Sequence, residues 1–258
     1  MDKEQAIIHH IVDWLNSYAE KSHMKGFVIG ISGGVDSAVT STLCALTGKQ
    51  TLVVTMPIRQ TQAEFDRASE HIAWLLAHYP NVSAKTIDLT ESFAVLENAF
   101  PEETATHFLA MANTRSRLRM TTLYALGQTA CLLVAGTGNK IEDFGVGFFT
   151  KYGDGGVDLS PIADLTKSDV FRIAKTLKIV PSIQQAAPTD GLWADGRTDE
   201  DQMGATYPEL EWAMEFSGDE THLTSHQLEV LAIYRRLNAI NQHKMQPIPV
   251  CILPDSLK

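Results

Sequence analysis

The stretch that most restricts this chain is Phe27-Val28-Ile29-Gly30-Ile31 followed at once by Ser32-Gly33-Gly34-Val35-Asp36-Ser37. A short apolar run rich in β-branched residues suits a strand covered on both faces, and the paired glycines end it. From Asp36 to Leu46 the pattern turns helical. Strand, glycine turn and helix form one βα unit, and the unit recurs. Thr51 to Met56 and Val82 to Asp88 read as further strands, with a helix from Gln60 to Tyr79 between them. A long helix is expected from about Thr104 to Gly127, and Cys131 to Ala135 is a fourth strand candidate. Unbroken apolar strands alternating with helices imply an α/β fold, an open parallel sheet with helices on both faces joined by right-handed crossovers, a Rossmann-like sandwich.

The flanking segments extend this picture. Residues 3–21 carry Ile7, Ile8, Ile11, Trp14, Leu15 and Tyr18 at helical spacing, which predicts an amphipathic opening helix. Lys167 to Leu177 and Thr224 to Ala239 are further helices, the latter with Thr224 as a cap. Residues 138–161 and 186–206 are rich in Gly, Asp, Pro and Thr without periodicity, and long irregular segments of this kind serve as ligand loops. No repeat or linker divides the chain, so residues 1–258 are read as one domain.

Composition excludes several classes. The chain has 258 residues, 44% hydrophobic and only 20% charged, so it buries a full core rather than remaining disordered. Its apolar runs are too short to span a bilayer, and a start containing Asp2 and Glu4 is read as no secretory signal. Cys44, Cys131 and Cys251 are far apart, with no C-x-x-C pair, and are expected to be buried thiols in a reducing cytosol. With 21 basic and 31 acidic side chains the net charge is −10, which argues against a nucleic-acid partner. An anionic ligand must then be held by a few local cations.

The glycine turn supplies the first part of such a site. Gly33 and Gly34 lack Cβ, so the backbone can direct N–H groups toward one point, and the following helix adds its own unpaired N–H groups. That field contributes about 0.3–1 kcal/mol per anionic contact, and up to ~2 when partly buried, too little for a triphosphate. Lysines and a divalent cation must add to it, and Asp36 inside the turn suits Mg²⁺, which prefers carboxylate and phosphate oxygens. The bland alternative is that Asp36 and Ser37 only cap a helix. A Walker loop is absent, because Leu43 and Gln50 occupy two of its required positions around Gly48-Lys49. Gly136-Thr137-Gly138 starts a dinucleotide fingerprint, but Ile141 stands where its third glycine belongs.

The turn resembles the PP-loop, S-G-G-x-D-S, of the ATP pyrophosphatases, which implies cleavage of ATP between the α and β phosphates and adenylation of a substrate. The segments Asn113-Thr-Arg-Ser-Arg-Leu-Arg-Met120, Gly136-Thr-Gly-Asn-Lys-Ile-Glu142 and Phe149-Thr-Lys-Tyr-Gly-Asp-Gly-Gly-Val-Asp158 resemble NAD synthetase. The likeness continues through Leu165-Thr166-Lys167, Pro188-Thr189, Thr198-Asp199-Glu200, Gly204-x-x-Tyr207 and His243-Lys244, so it covers about residues 27 to 245. It implies an adenine nucleotide alpha hydrolase-like fold and amidation of nicotinic acid adenine dinucleotide by ammonia, through an acyl adenylate, with AMP and pyrophosphate released.

Residue by residue, the resemblance implies that Asp36 and Glu142 hold Mg²⁺. It gives ATP to Gly30, Ile31, Ser32, Gly33, Gly34, Val35, Ser37, Thr137, Lys167 and Thr189. Arg117, Lys151, Asp158, His243 and Lys244 fall to the dinucleotide, Lys167 joins Asp36 in catalysis, and Asp154 meets ammonia. On a helix Arg115 and Arg119 share a face that Arg117 does not, so the first two are read as a solvated basic stripe or an interface. His243-Lys244 is expected in a loop. Bland readings cover His9-His10 (surface or core edge), Trp193 and Trp212 (packing), and His222 and His226, which lack a zinc motif.

Some residues depart from the ammonia-using members. Val35 and Ala38 stand where some have Gln and Thr, Pro188 to Trp193 differs, and Gly145 to Phe149 reads as one residue longer. The length leaves no room for the amidase domain of glutamine-using members, so free ammonia is the expected donor, with a separate glutaminase subunit as the alternative. The resemblance also implies a homodimer. Competing readings are another PP-loop amidating ligase and a non-catalytic nucleotide-binding module.

Overall fold

The computed structural model describes residues 2–189 and 198–258. Helix α1 (Lys3–Lys21) is capped by Asp2, whose side chain accepts from the Gln5 N–H, and strand β1 (Gly26–Gly30) follows. Then come α2 (Val35–Leu46), β2 (Gln50–Thr55), α3 (Gln62–His78), β3 (Val82–Thr86), α4 (Thr90–Ala99), α5 (Glu102–Ala105), α6 (Phe108–Ala130) and β4 (Leu132–Val134). A π-helical segment (Ile141–Val146) precedes α7 (Lys167–Thr176), α8 (Pro181–Gln184), α9 (Asp199–Met203), α10 (Tyr207–Glu215) and α11 (Ser225–Met245).

The sheet order is β3-β2-β1-β4, and every pairing is parallel; the parallel pairing is what the sequence predicts. Side-chain alternation explains why both faces are covered. Phe27, Ile29, Val53 and Leu133 point to one side, where α1, α2, α3, α7 and α8 pack. Val28, Leu52, Val54, Leu132 and Val134 point to the other, against α4 and α6. Phe27 and Ile29 are wholly buried, each contributing about 1.5–3 kcal/mol of hydrophobic stabilisation. A smaller cluster of Ile141, Val146, Tyr207, Leu210 and Val230 joins the π-helical segment to α9, α10 and α11. The chain runs from β1 outward through β2 to β3, then crosses back to place β4 on the other side of β1. That reversal opens a crevice at the carboxyl ends of β1 and β4, where open α/β sheets bind ligands.

Several expectations change. The helix expected from Thr104 is broken, because the α5 backbone ends at Thr106 and His107 caps a new helix through its Nδ1. Cys131 is not in the strand. It is a left-handed cap with φ +57, its carbonyl accepting from the Lys25 N–H. Only Cys44 is buried, whereas Cys131 and Cys251 are exposed. In α1 the buried stripe is Ile8, Ile11, Leu15 and Ala19, leaving Trp14 and Tyr18 at the rim. The helix after Thr224 continues past Ala239 to Met245, so His243 and Lys244 lie in its last turn rather than in a loop. The expected irregular segments contain the π-helical turn and α9, and Trp193 falls outside the described residues. No described helix is long and apolar enough to cross a membrane.

Candidate active site

The glycine turn folds on its own serines. Ser37 Oγ donates to the Gly34 carbonyl at 3.0 Å and accepts from the Ser32 N–H at 3.3 Å, while the Gly34 N–H donates to Ser32 Oγ at 3.2 Å. Gly33 has φ +89, and a Cβ there would stand 2.6 Å from the Glu64 carbonyl oxygen, so only glycine fits. Arg67 of α3 donates from Nε to the Gly33 carbonyl at 3.3 Å, which ties the turn to the neighbouring helix.

Asp36, in the first turn of α2, meets two partners brought from the far side of the crevice. Lys167 Nζ donates to its Oδ2 at 2.6 Å, and Asn139 Nδ2 donates to its Oδ1 at 3.1 Å. Lys167 begins α7 under a capping box of Thr166 and Asp169, and its ammonium also reaches Glu142 Oε1 at 3.1 Å. Tyr207 Oη donates to the same Glu142 oxygen at 2.6 Å and contacts Asp199 Oδ2 at 3.3 Å. Asn139 is wholly buried, and its Oδ1 accepts from the Ile141 and Glu142 N–H groups, so one amide links Asp36 to the turn that carries Glu142.

The electrostatics follow from that crowding. Burial works against the Lys167 ammonium, but Asp36 first and Glu142 second overcome it and raise its pKa, so it stays a cation. Burial raises the Glu142 carboxyl, Lys167 pulls it back, and Asp36 raises it again. Asp143 is pushed up to about 8, by burial first and then by the charges of Glu142, Asp154 and Asp36.

The carrier of Glu142 is the π-helical turn. Its last carbonyls have no partner within the turn and α11 takes them up: Asn238 Nδ2 donates to the Gly145 oxygen at 2.7 Å and Asn241 Nδ2 to the Val146 oxygen at 2.8 Å. The chain then leaves through Gly147 at φ +66 into the Gly-Asp-Gly-Gly loop.

That loop and the end of α11 are joined by two lysines. Lys151 Nζ donates to the His243 carbonyl at 2.6 Å, and Lys244 Nζ donates to the Phe149 carbonyl at 2.8 Å. Arg117 of α6 donates from Nε to the Lys151 carbonyl at 3.3 Å. Asp154 Oδ1 accepts from Ser116 Oγ at 2.7 Å and from the Thr150 N–H at 3.0 Å, anchoring the loop to α6.

A cavity of about 580 Å³ brings these parts together. The turn from Gly30 to Ser37 forms one wall with Thr137, Glu142, Lys167 and Thr189, and Arg117, Lys151, Asp154, His243 and Lys244 form another. Asp158 is not in the lining. Its Oδ2 accepts from the Val134 N–H at 2.8 Å and its Oδ1 from Tyr124 Oη at 3.1 Å. Arg119 is not a solvated stripe: it lines the cavity, withdrawn from solvent by the packing of α6 on the sheet. Arg115 instead lies over the Phe93 ring, 5.8 Å from its centroid. Asn139 and Arg67 are site residues that the sequence does not single out. Asn139 stands inside a quoted motif, but nothing in spacing told that it would bridge two elements.

Asp36 and Glu142 both touch one ammonium at the mouth of the glycine turn, a donor set of two carboxylates that fits a hard divalent ion sharing phosphate oxygens.

The family model described as NAD synthase matches residues 7–247. The NH3-dependent NAD+ synthetase of Carboxydothermus hydrogenoformans is 37% identical over 239 residues, covering 91% of this chain and 92% of that protein. The protein of the same name from Alkaliphilus metalliredigens is 37% identical over 255 residues, covering 94% and 97%. A solved structure described as NMN synthetase from Francisella tularensis superposes with a TM-score of 0.84 at 31% identity, covering 99% of this chain and 100% of that one. A PP-loop, an acid pair around a buried lysine and a basic wall in one cavity therefore come with a match over nearly the whole sequence, and the chain belongs to the NAD synthase family.

Proposed function

We propose that this chain is an ammonia-dependent NAD synthetase working as a single catalytic domain. The observation that carries the reading is the convergence, in one cavity, of a pyrophosphate-type turn with a cationic wall suited to an acidic nucleotide. The carboxylate of nicotinic acid adenine dinucleotide attacks the α-phosphorus of ATP, and the bond to the β,γ-phosphates breaks as pyrophosphate leaves. Ammonia then attacks the acyl carbon of the adenylate; AMP departs with the former carboxylate oxygen, a proton is released, and NAD remains.

The protein's part is positioning and charge stabilisation. The amides of Gly33 to Ser37 and the N-terminus of α2 take the departing phosphates, and Thr137 and Thr189 contribute to the ATP site. Lys167 turns from its carboxylates toward phosphate oxygen, a point charge on a flexible stem. Arg117, Lys151, His243 and Lys244 hold the dinucleotide. Asp154, fastened through Oδ1, is assigned to the incoming ammonia through Oδ2. Asp36 and Glu142 would hold Mg²⁺, which when bound supplies charge neutralisation for the leaving pyrophosphate.

The test is incubation with MgATP, ammonium and the deamido dinucleotide while NAD and pyrophosphate are measured. Release of ADP and orthophosphate would overturn the reading. A second reading has a specific observation behind it: the Francisella tularensis structure, similar along its whole length, is described as an NMN synthetase. On that reading the acid is nicotinic acid mononucleotide, and the ratio of kcat/KM for the two acids decides. Replacing ammonium with glutamine tests for a dedicated donor subunit. We further propose a cytoplasmic homodimer, which sedimentation of the purified chain checks.

A further inference from the structure

Arg119 has no role in the reaction as derived above, yet it is a charged residue in the lining of the cavity. It sits on α6 one turn before Leu123, whose side chain packs over Gly30 at the end of β1. Its Nε donates to the Met56 carbonyl at 3.1 Å, just past the end of β2. Arg119 also lines the cavity, as do Gln60, Glu64, Ser116 and Met120. Among the described residues it makes no ion pair.

We propose that Arg119 is an anion-binding residue of this site, its free guanidinium edge taking the phosphate oxygens of a bound nucleotide. The inference rests on the proposed function, which supplies two phosphate-bearing ligands, ATP and the acidic nucleotide.

Physical argument favours this over a structural role. Burial, and next the charge of Arg115, pull its pKa down to about 10, with Glu64 and Asp154 opposing, so the group is still a cation at neutral pH. A single bond to a neutral carbonyl gives little net stability, whereas a half-buried charge without a close counterion carries a desolvation cost. An apolar side chain would stitch α6 to the sheet better. The remaining N–H donors lie in one plane, which matches two phosphate oxygens at once in a way that a lysine cannot.

The experiment compares wild type with Arg119→Met and Arg119→Lys. Thermal midpoints are taken without ligand, and dissociation constants are measured by calorimetry for ATP, sodium pyrophosphate and nicotinic acid adenine dinucleotide, each alone. For Arg119→Met the expected result is an unliganded midpoint equal to or above wild type, with at least one of the three ligands bound tenfold or more weakly. Loss confined to ATP and pyrophosphate assigns the arginine to the ATP phosphates; loss confined to the dinucleotide assigns it to the substrate's. Arg119→Lys is expected to bind that ligand three- to tenfold more weakly than wild type. A lower midpoint with all three affinities within twofold of wild type would overturn the proposal. If Arg119→Met does not fold, wild-type affinities in Arg119→Lys overturn it. The wild-type arm keeps the two readings apart: a wild-type chain that makes no NAD defeats the proposed function, while the ATP and pyrophosphate arms still judge Arg119.

Discussion

Lys167 Nζ stands 2.6 Å from Asp36 Oδ2, although 131 residues separate the two in sequence. The contact joins the first helix after the glycine turn to α7 across the mouth of the crevice. Because Glu142 meets the same ammonium, a single buried cation balances two acids that would otherwise repel.

Lys167→Met is therefore expected to damage both stability and turnover. Breaking a buried charge arrangement by removing one partner costs about 3–5 kcal/mol. The unfolding midpoint in urea should fall accordingly. NAD formation should drop by roughly 10²–10³-fold, the scale seen when one stabilising group is lost from a developing negative charge. Unchanged stability would mean that the three groups do not depend on one another.

Gly33→Ala addresses the turn directly. A Cβ at φ +89 meets a backbone oxygen, which has little freedom to withdraw. Strain on the order of 1–2 kcal/mol is expected. Calorimetric titration with pyrophosphate should show at least a tenfold weaker complex, with circular dichroism close to wild type.

Asp158 separates what the family resemblance implies from what the geometry places. Its carboxylate is engaged by the Val134 N–H and by Tyr124, whose own pKa is raised to about 12 by burial and next by Asp158. Asp158→Ala orphans a buried strand N–H and is expected to cost about 1–3 kcal/mol of stability. The KM for the acidic nucleotide should change less than threefold. A large rise in KM at wild-type stability would return Asp158 to substrate binding.

His71 predicts an acid limb in the stability profile. It is fully buried, its Nε2 lies 3.0 Å from Ser41 Oγ, and burial lowers its pKa to about 4, opposed by a bond involving Ala38. The folded chain thus binds the proton later than the unfolded one. Stability is intact above about pH 6.5 and declines toward pH 4, by at most ~1.4 kcal/mol per pH unit from this residue. Urea unfolding of wild type and His71→Gln at pH 4.5 and 7.5 should show a smaller difference between the two pH values for the variant.

What the sequence disclosed depends on how local the signal was. The opening helix, β1, the glycine turn and α2 are legible because each announces itself within a few residues, and the parallel sheet follows from unbroken apolar strands. Helix α4 is hidden, since Thr90 to Ala99 buries only Phe93 and so shows no stripe. The reach of α11 to Met245 is hidden for a related reason: its last two turns hold polar residues that face the π-helical turn and the loop rather than a core. Within the site, motif positions were legible, but direction was not. Helix geometry groups Arg115 with Arg119, yet Arg119 lines the cavity together with Arg117 while Arg115 lies over Phe93, because which residues meet the cavity is set by how α6 rests on β1 and β2. Whether Asp158 faces ligand or backbone likewise depends on β4 lying beside it.

The π-helical turn ends on the carbonyls of Gly145 and Val146, and both are met by asparagines of α11, Asn238 and Asn241. The turn and the composition of the helix are thereby made a matched set. Anyone grafting this turn into another chain would need to move the asparagine pair with it, as one cassette, or leave two carbonyls stranded on the lip that aims Glu142.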